Sequence, residues 1–460
     1  MRASLVFAVV AMLVACSRPA PRPPATDLTD LPHVVLITLD TVRRDHAAIY
    51  GYSRVTTPFL DRWAVQGAVF DRAVASSSTT APAHAALFTG MYPSQSGVRN
   101  NADALDASAA TLGAAFTAAG YDTAAIASVG FLRSVTAGFS HIDVPPARDA
   151  TYRSAEETAD AAVRWLSERT QRKPVFLWVH LFDAHEPARA LPDDVARFLP
   201  ASAEERRAFE RHARESFAIP ATYHPEGDLG ADLAELFARY DAQLLRVDRA
   251  VASIHAAFSK AGLAGDTLWV VTADHGQGLG SHGLYGHGRH LYDEQLAVPL
   301  WVVGPGVAPA RVDRVVQHID LFPSLVQRFG LPVAADAGRR GRAWPELVPG
   351  AAALEDEWAY SERRTFPGEA PETDSGDMVA YQDRRWKWID RAKGPDEAYD
   401  RTVDPLEQHN RAGTESADRL REPLEGLRGA WTPKASSGLP ADSRGLLDQL
   451  EALGYLGGRE

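Results

Sequence analysis

Val34-Val35-Leu36-Ile37-Thr38-Leu39-Asp40 is an unbroken run of apolar and β-branched residues that ends on a carboxylate. A run without polar alternation reads as a strand buried on both faces, the kind found in parallel sheets. A second such run, Thr267-Leu268-Trp269-Val270-Val271-Thr272, leads into Ala273-Asp274-His275-Gly276. A third, Val175-Phe176-Leu177-Trp178-Val179-His180-Leu181, leads into Phe182-Asp183-Ala184-His185-Glu186-Pro187. Ligands of α/β sheets collect beyond the carboxyl ends of the strands, so acids and histidines at these ends are candidates for one crevice.

Between the runs lie helical patterns near Pro58–Gly67, Ala83–Gly90, Leu112–Ala119 and Ala155–Arg169, with a further strand at Ala124–Ser128. Leu233, Phe237, Tyr240, Leu244, Val247, Val251, Ile254 and Phe258 recur at spacings of three and four, as in an amphipathic helix lying on a sheet. The alternation predicts an α/β fold, a large mostly parallel sheet sandwiched by helices. Residues 186–230 are polar and read as an insertion over one face, a lid or a solvated excursion. After Val298–Val303 and a helix around Asp320–Phe329, the Gly-, Arg- and Pro-rich stretch 335–349 marks a boundary. The expected domains are 31–345, catalytic, and 350–460, a C-terminal subdomain with a small antiparallel sheet built from pieces such as Trp358–Tyr360 and Arg385–Ile389.

Thr80-Ala81-Pro82-Ala83-His84-Ala85-Ala86-Leu87-Phe88-Thr89-Gly90 puts a hydroxyl at the start of a helix opened by proline. Free N–H groups and the positive helix end would stabilise an alkoxide or a bound anion there. Thr80 alone reads equally as an ordinary N-cap. With Asp40, Asp274 and His275 it completes a metal-ligand set, and the imidazole favours zinc or manganese, with calcium still open. His185, His287 and Arg43 are candidates to bind an anion or protonate a leaving oxygen. The glycines of Gly280-Ser281-His282-Gly283-Leu284-Tyr285-Gly286-His287-Gly288 let that loop approach a ligand closely.

The chain has 460 residues, 45% hydrophobic and 23% charged, ordinary for a soluble globular protein. Its net charge of -12 argues against a nucleic-acid binder. At the N-terminus Arg2 precedes the apolar run Leu5–Ala15, too short to span a bilayer and shaped like an export signal. It closes on Leu13-Val14-Ala15-Cys16, which resembles a bacterial lipobox with Cys16 acylated. Cys16 is the only cysteine, so neither an intrachain disulfide nor a cysteine metal site exists. Residues 1–16 are then the lipoprotein signal and 17–30 a Pro- and Ala-rich tether to the membrane. The expected location is the bacterial cell envelope, outer membrane or periplasm.

Several stretches together resemble the sulfatase family of the alkaline phosphatase superfamily. Val35–Asp45 resembles its first metal strand, and Thr80–Gly90 its signature. Asp274-His275-Gly276 through His287-Gly288, with Leu291–Glu294 and Val298-Pro299, resembles its last metal motif. Tyr399-Asp400, Asp404-Pro405, Glu407–Asn410 and the tail Leu453-Gly454-Tyr455 resemble its C-terminal part. The resemblance implies a metal-dependent hydrolase of sulfuric or phosphoric esters. It implies Thr80, His185 and His287 as catalytic residues, and Arg43, His84, Asp183, His185, His282 and His287 as substrate contacts. Thr80 stands where sulfatases carry the Cys or Ser that becomes formylglycine, His84 replaces the signature arginine, and Thr41 the second acid of an Asp-Asp pair. These departures are similar to threonine-nucleophile members, phosphodiesterases and phosphoethanolamine transferases. A formylglycine hydrate expels sulfate by collapsing to the aldehyde, whereas a threonine ester must wait for water, which leans the substrate towards a phosphoester. Two alternatives stay open: a phosphoryl-group transferase acting on envelope glycans or lipids, and a membrane-tethered binding protein that has lost catalysis.

Overall fold

The computed structural model describes residues 31–455 except 149–151, 171, 187–188, 226–231, 335–337, 349, 352–356, 366–375, 437–443 and 454. The export signal, Cys16 and the tether lie outside the described residues. Among the described residues no helix is long and apolar enough to cross a membrane.

Fifteen strands are described: β1 His33–Leu39, β2 Ala68–Val74, β3 Asp122–Ala127, β4 His141–Asp143, β5 Val175–Leu181, β6 Thr267–Ala273, β7 Gly278–Leu279, β8 Tyr285–Gly286, β9 Ala297–Val298, β10 Leu300–Val303, β11 Ala310–Gln317, β12 Trp358–Arg363, β13 Met378–Asp383, β14 Trp386–Arg391 and β15 Glu397–Asp400. The large sheet runs β11-β2-β10-β6-β1-β5-β3-β4, with β9 pairing β2. It is mostly parallel, as expected; β9 and β10 are its antiparallel members. Every residue of β5 and β6 is buried, and all of β1 but His33.

Register is what builds the crevice. Leu39 lies opposite Leu181 on one side and Ala273 on the other. The three strands therefore end together, and the next residue of β1, Asp40, meets the residue after β6, Asp274.

The Ala155–Glu168 helix starts in a reciprocal cap, with Ser154 Oγ accepting from Glu157 N–H at 3.2 Å and Glu157 Oε2 from Ser154 N–H at 2.8 Å. The long helix Leu233–Lys260 is capped by Asp232 and buries the expected stripe from Leu233 to Phe258. Among the described residues of the polar insertion are the helices Pro192–Phe198 and Ala203–Ser216. Asp194 of the first accepts both arms of Arg249 on the long helix.

The sequence pattern missed β2 and β11. Asp71-Arg72 and Asp313-Arg314 interrupt their apolar runs; Arg72 Nε lies 2.5 Å from Asp313 Oδ1 and Asp71 pairs with Arg311 across the strands, while Arg314 pairs with Glu346. The smaller sheet, β12-β13-β14-β15, is antiparallel throughout. It buttresses the loop leading to Thr80: Ser361 Oγ donates to the Ala75 carbonyl at 2.6 Å and Glu362 N–H to the Ser76 carbonyl at 3.0 Å.

Candidate active site

Thr80 is the first residue of the Thr80–Thr89 helix, with Thr79 at the capping position and Pro82 inside the first turn. This corrects the start of the helix and removes the reading of Thr80 as an N-cap. The N–H of Ala81 donates to Asn101 Oδ1 at 2.8 Å, and Gly90 ends the helix in the left-handed region at φ +68°. Thr80 is fully buried, its Oγ1 at 3.2 Å from His275 Nε2 and 3.3 Å from Tyr455 Oη.

Asp40 and Asp274 are also fully buried. Asp274 Oδ1 accepts the N–H of His275 at 2.8 Å and that of Thr41 at 3.2 Å. Thr41 is held at φ +55°, uncommon for a β-branched residue, and Tyr240 Oη donates to its carbonyl at 2.7 Å. Asp40 Oδ2 lies 3.1 Å from His180 Nε2, while Asp40 Oδ1 and Asp274 Oδ2 have no hydrogen-bond partner among the described residues. One ligand atom each from Asp40, Asp274 and His275 lie within 4.8 Å of one another, and so do ligand atoms of His84, His180 and Asp274.

Burial pushes the Asp40 carboxyl well above its ordinary range, and burial together with the Asp40 charge does the same to Asp274. Burial drives His84, His185 and His275 well below the usual histidine value, His287 to about 4 and His180 to about 3. Two buried acids with unsatisfied oxygens beside neutral imidazoles are the donor set a divalent cation takes, and they are costly without one. The residues present fit a metal site.

His185 Nε2 lies 2.9 Å from His287 Nε2 and 2.7 Å from Tyr455 Oη. The His287 ring lies 4.3 Å from that of His275, centroid to centroid, and its Nδ1 is 3.1 Å from the Ser78 carbonyl. His84 sits one turn into the helix, its Nδ1 2.8 Å from the Thr80 carbonyl and its Nε2 2.9 Å from Thr38 Oγ1.

Three sequence candidates point elsewhere. Arg43 donates to both oxygens of Asp45, to the Gln277 carbonyl and to Ser281 Oγ. His282 stacks on Tyr292 and lies 3.0 Å from Glu294 Oε1. Both line a neighbouring cavity of about 490 Å³. Asp183 lies 3.1 Å from Arg246, and burial lifts its pKa to about 7.

Two residues of the cluster carried no assigned role in the sequence reading. His180 is the one titratable residue of an apolar strand, and that polar exception was its available signal. Tyr455 belongs to a quoted tail motif, but nothing local ties it to a residue 375 positions away.

A family model described as Sulfatase matches residues 32–331. The chain is 26% identical over 435 residues to the uncharacterized sulfatase YidJ of Escherichia coli (strain K12), covering 82% of each chain. It is 25% identical over 435 residues to the Delta 4,5-hexuronate-2-O-sulfatase of Bacteroides thetaiotaomicron, covering 84% of this chain and 86% of that one. The fold matches the crystal structure of the phosphonate monoester hydrolase of Agrobacterium radiobacter with a TM-score of 0.68 at 24% identity, over 87% of this chain and 95% of that one.

Proposed function

The chain belongs to the sulfatase family of ester hydrolases, and from that premise we propose that Thr80 is its nucleophile, acting on an anionic ester in a metal-dependent site. The observation that carries the reading is the Thr80 hydroxyl, buried at the head of its helix, 3.2 Å from His275 and beside the two unsatisfied carboxylates. A divalent cation held by Asp40, Thr80, Asp274 and His275, zinc or manganese before calcium, would polarise the ester and acidify the Thr80 hydroxyl.

In the first step Thr80 Oγ1 bonds to the phosphorus or sulfur atom, and the bond from that atom to the leaving oxygen breaks. The proton that Thr80 gives up passes through the Nε2 atom of His185 or His287, which lie 2.9 Å apart, to the leaving oxygen, so that each imidazole begins and ends the step neutral. Water then attacks the threonine ester, releasing the acid and restoring the hydroxyl.

Relatives named as sulfatases support a sulfate ester, while a threonine that cannot collapse to an aldehyde supports a phosphoester. We favour the phosphoester on mechanism. The lipobox-like Leu13–Cys16 supports anchoring at the cell envelope, where glycans and lipid head groups carry such esters. The test is hydrolysis of bis-p-nitrophenyl phosphate and of p-nitrophenyl sulfate by the metal-loaded protein, with Thr80→Ala as control. Phosphodiester turnover lost in the variant is the expected result. Sulfate turnover lost in the variant overturns the phosphoester preference, and turnover retained in the variant overturns the nucleophile.

A further inference from the structure

The C-terminal tail reaches the nucleophile. The Arg444–Ala452 helix docks on the turn Gly130–Val135, with Gln449 Oε1 accepting the Phe131 N–H at 3.1 Å. Beyond it the Tyr455 N–H donates to the Leu450 carbonyl at 2.8 Å, folding the chain back on itself. The Tyr455 ring then packs 5.7 Å from that of Phe131, centroid to centroid, and is 6% exposed. Its hydroxyl stands 3.3 Å from Thr80 Oγ1, 2.7 Å from His185 Nε2 and 3.4 Å from His287 Nε2.

We propose that Tyr455 is a further catalytic residue, whose hydroxyl donates a hydrogen bond to a non-bridging oxygen of the group transferred to Thr80. The inference rests on Thr80 being the nucleophile. Any tetrahedral centre bonded to Thr80 Oγ1 spreads its oxygens into the space around that atom, and Tyr455 Oη already lies there. The tail thus supplies a neutral donor 3.3 Å from the Thr80 oxygen, in addition to the metal ligand His275 at 3.2 Å. A donor held by packing, aimed where negative charge gathers in the transition state, is worth roughly 100-fold to 1000-fold in turnover. Tyrosine suits the place because its ring can be anchored in apolar packing while its hydroxyl reaches a polar pocket. His185 Nδ1 faces the Glu186 carbonyl, so the Tyr455 O–H donates to His185 Nε2 at rest; once that nitrogen takes up the Thr80 proton it donates back to Tyr455 Oη, and the Tyr455 O–H turns to the transferred group.

The test uses the metal-loaded full chain and two readouts, turnover and binding of orthovanadate, an anion that adopts the geometry of the transferred group. Tyr455→Phe is expected to lower kcat about 100-fold with KM nearly unchanged, and to weaken vanadate binding about 10-fold or more, with thermal stability retained. Thr80→Ala is expected to abolish turnover and vanadate capture. Tyr455→Phe matching the wild type while Thr80→Ala is inert overturns the role of Tyr455 and leaves the nucleophile standing. Thr80→Ala behaving like the wild type removes the nucleophile, and the role of Tyr455 falls with it. Faster turnover in Tyr455→Phe also overturns the proposal, because a tail that only blocks the pocket gives that result.

Discussion

Asp40 and Asp274 place two carboxylates in one dry pocket, each with an oxygen that accepts no hydrogen bond among the described residues. Without a counter-charge they repel, and burial raises both pKa values, so one of them prefers to hold a proton. This gives a prediction with opposite signs in two conditions. In chelator, Asp40→Asn is expected to be more stable than the wild type, on the order of 1 kcal/mol by chemical denaturation, since it removes the cost of protonating or burying a second carboxyl. With zinc or manganese at a thousand times its dissociation constant the wild type gains about 4 kcal/mol, and Asp40→Asn gains little. A wild type whose melting temperature ignores both chelator and metal would sink the metal site. These two acids were legible in the sequence because each ends an apolar strand. His180 was not, because a histidine inside such a strand looks like core until the register sets it against Asp40.

At the level of elements, the loop after β6 opens on a backbone contact that leaves no room for a side chain at Gly276. A Cβ on Gly276 would come within 2.1 Å of the Glu294 carbonyl oxygen, and the Gly276 N–H donates to the Gln295 carbonyl at 2.8 Å. Gly276 therefore fixes the path of the chain immediately beyond His275. Gly276→Ala is expected to cost about 1–3 kcal/mol of stability and to reduce metal affinity, as read by calorimetry, because Glu294 or His275 must move. Unchanged affinity would mean that the loop yields elsewhere. The strands β1, β5 and β6 were readable as uninterrupted apolar runs, whereas β2 and β11 were not, since charged residues that find partners only in the folded chain interrupt them.

At the scale of the whole molecule, the smaller sheet and the catalytic sheet are joined by buried charge. Lys387 of β14, fully buried, lies 3.0 Å from Asp293 and 2.9 Å from Glu407. His282, from the loop after β6, lies 3.0 Å from Glu294 Oε1 and 3.1 Å from the Glu407 carbonyl. Burial lowers the His282 pKa, but the Glu294 carboxylate outweighs it, and the value rises to about 9. A folded pKa above the ordinary value of about 6.5 means that the folded state holds the proton more tightly. The stabilisation is therefore complete below about pH 6.5 and is lost as pH climbs through about 9. Unfolding free energy is expected to fall by about 3 kcal/mol across that window, and His282→Gln should flatten the fall. A wild-type profile as flat as that of the variant would mean that the His282–Glu294 pair adds nothing to the stability of the fold.

The sequence by itself determined the sheet, the family and the strand-end acids, because burial on both faces demands long apolar runs and a polar residue at the end of one stands out. Position along the chain also placed Thr80 at a helix start, since a hydroxyl close before proline is a local signal. Only the tertiary structure decided which polar groups share the pocket. His180 joins it through strand register, Tyr455 through the fold-back of the tail, and Arg43 and His282 are drawn instead to Asp45 and Glu294. Hydrogen bonds and ion pairs act between neighbours in space, and which residues become neighbours is settled by packing across the whole chain, not by any stretch of it.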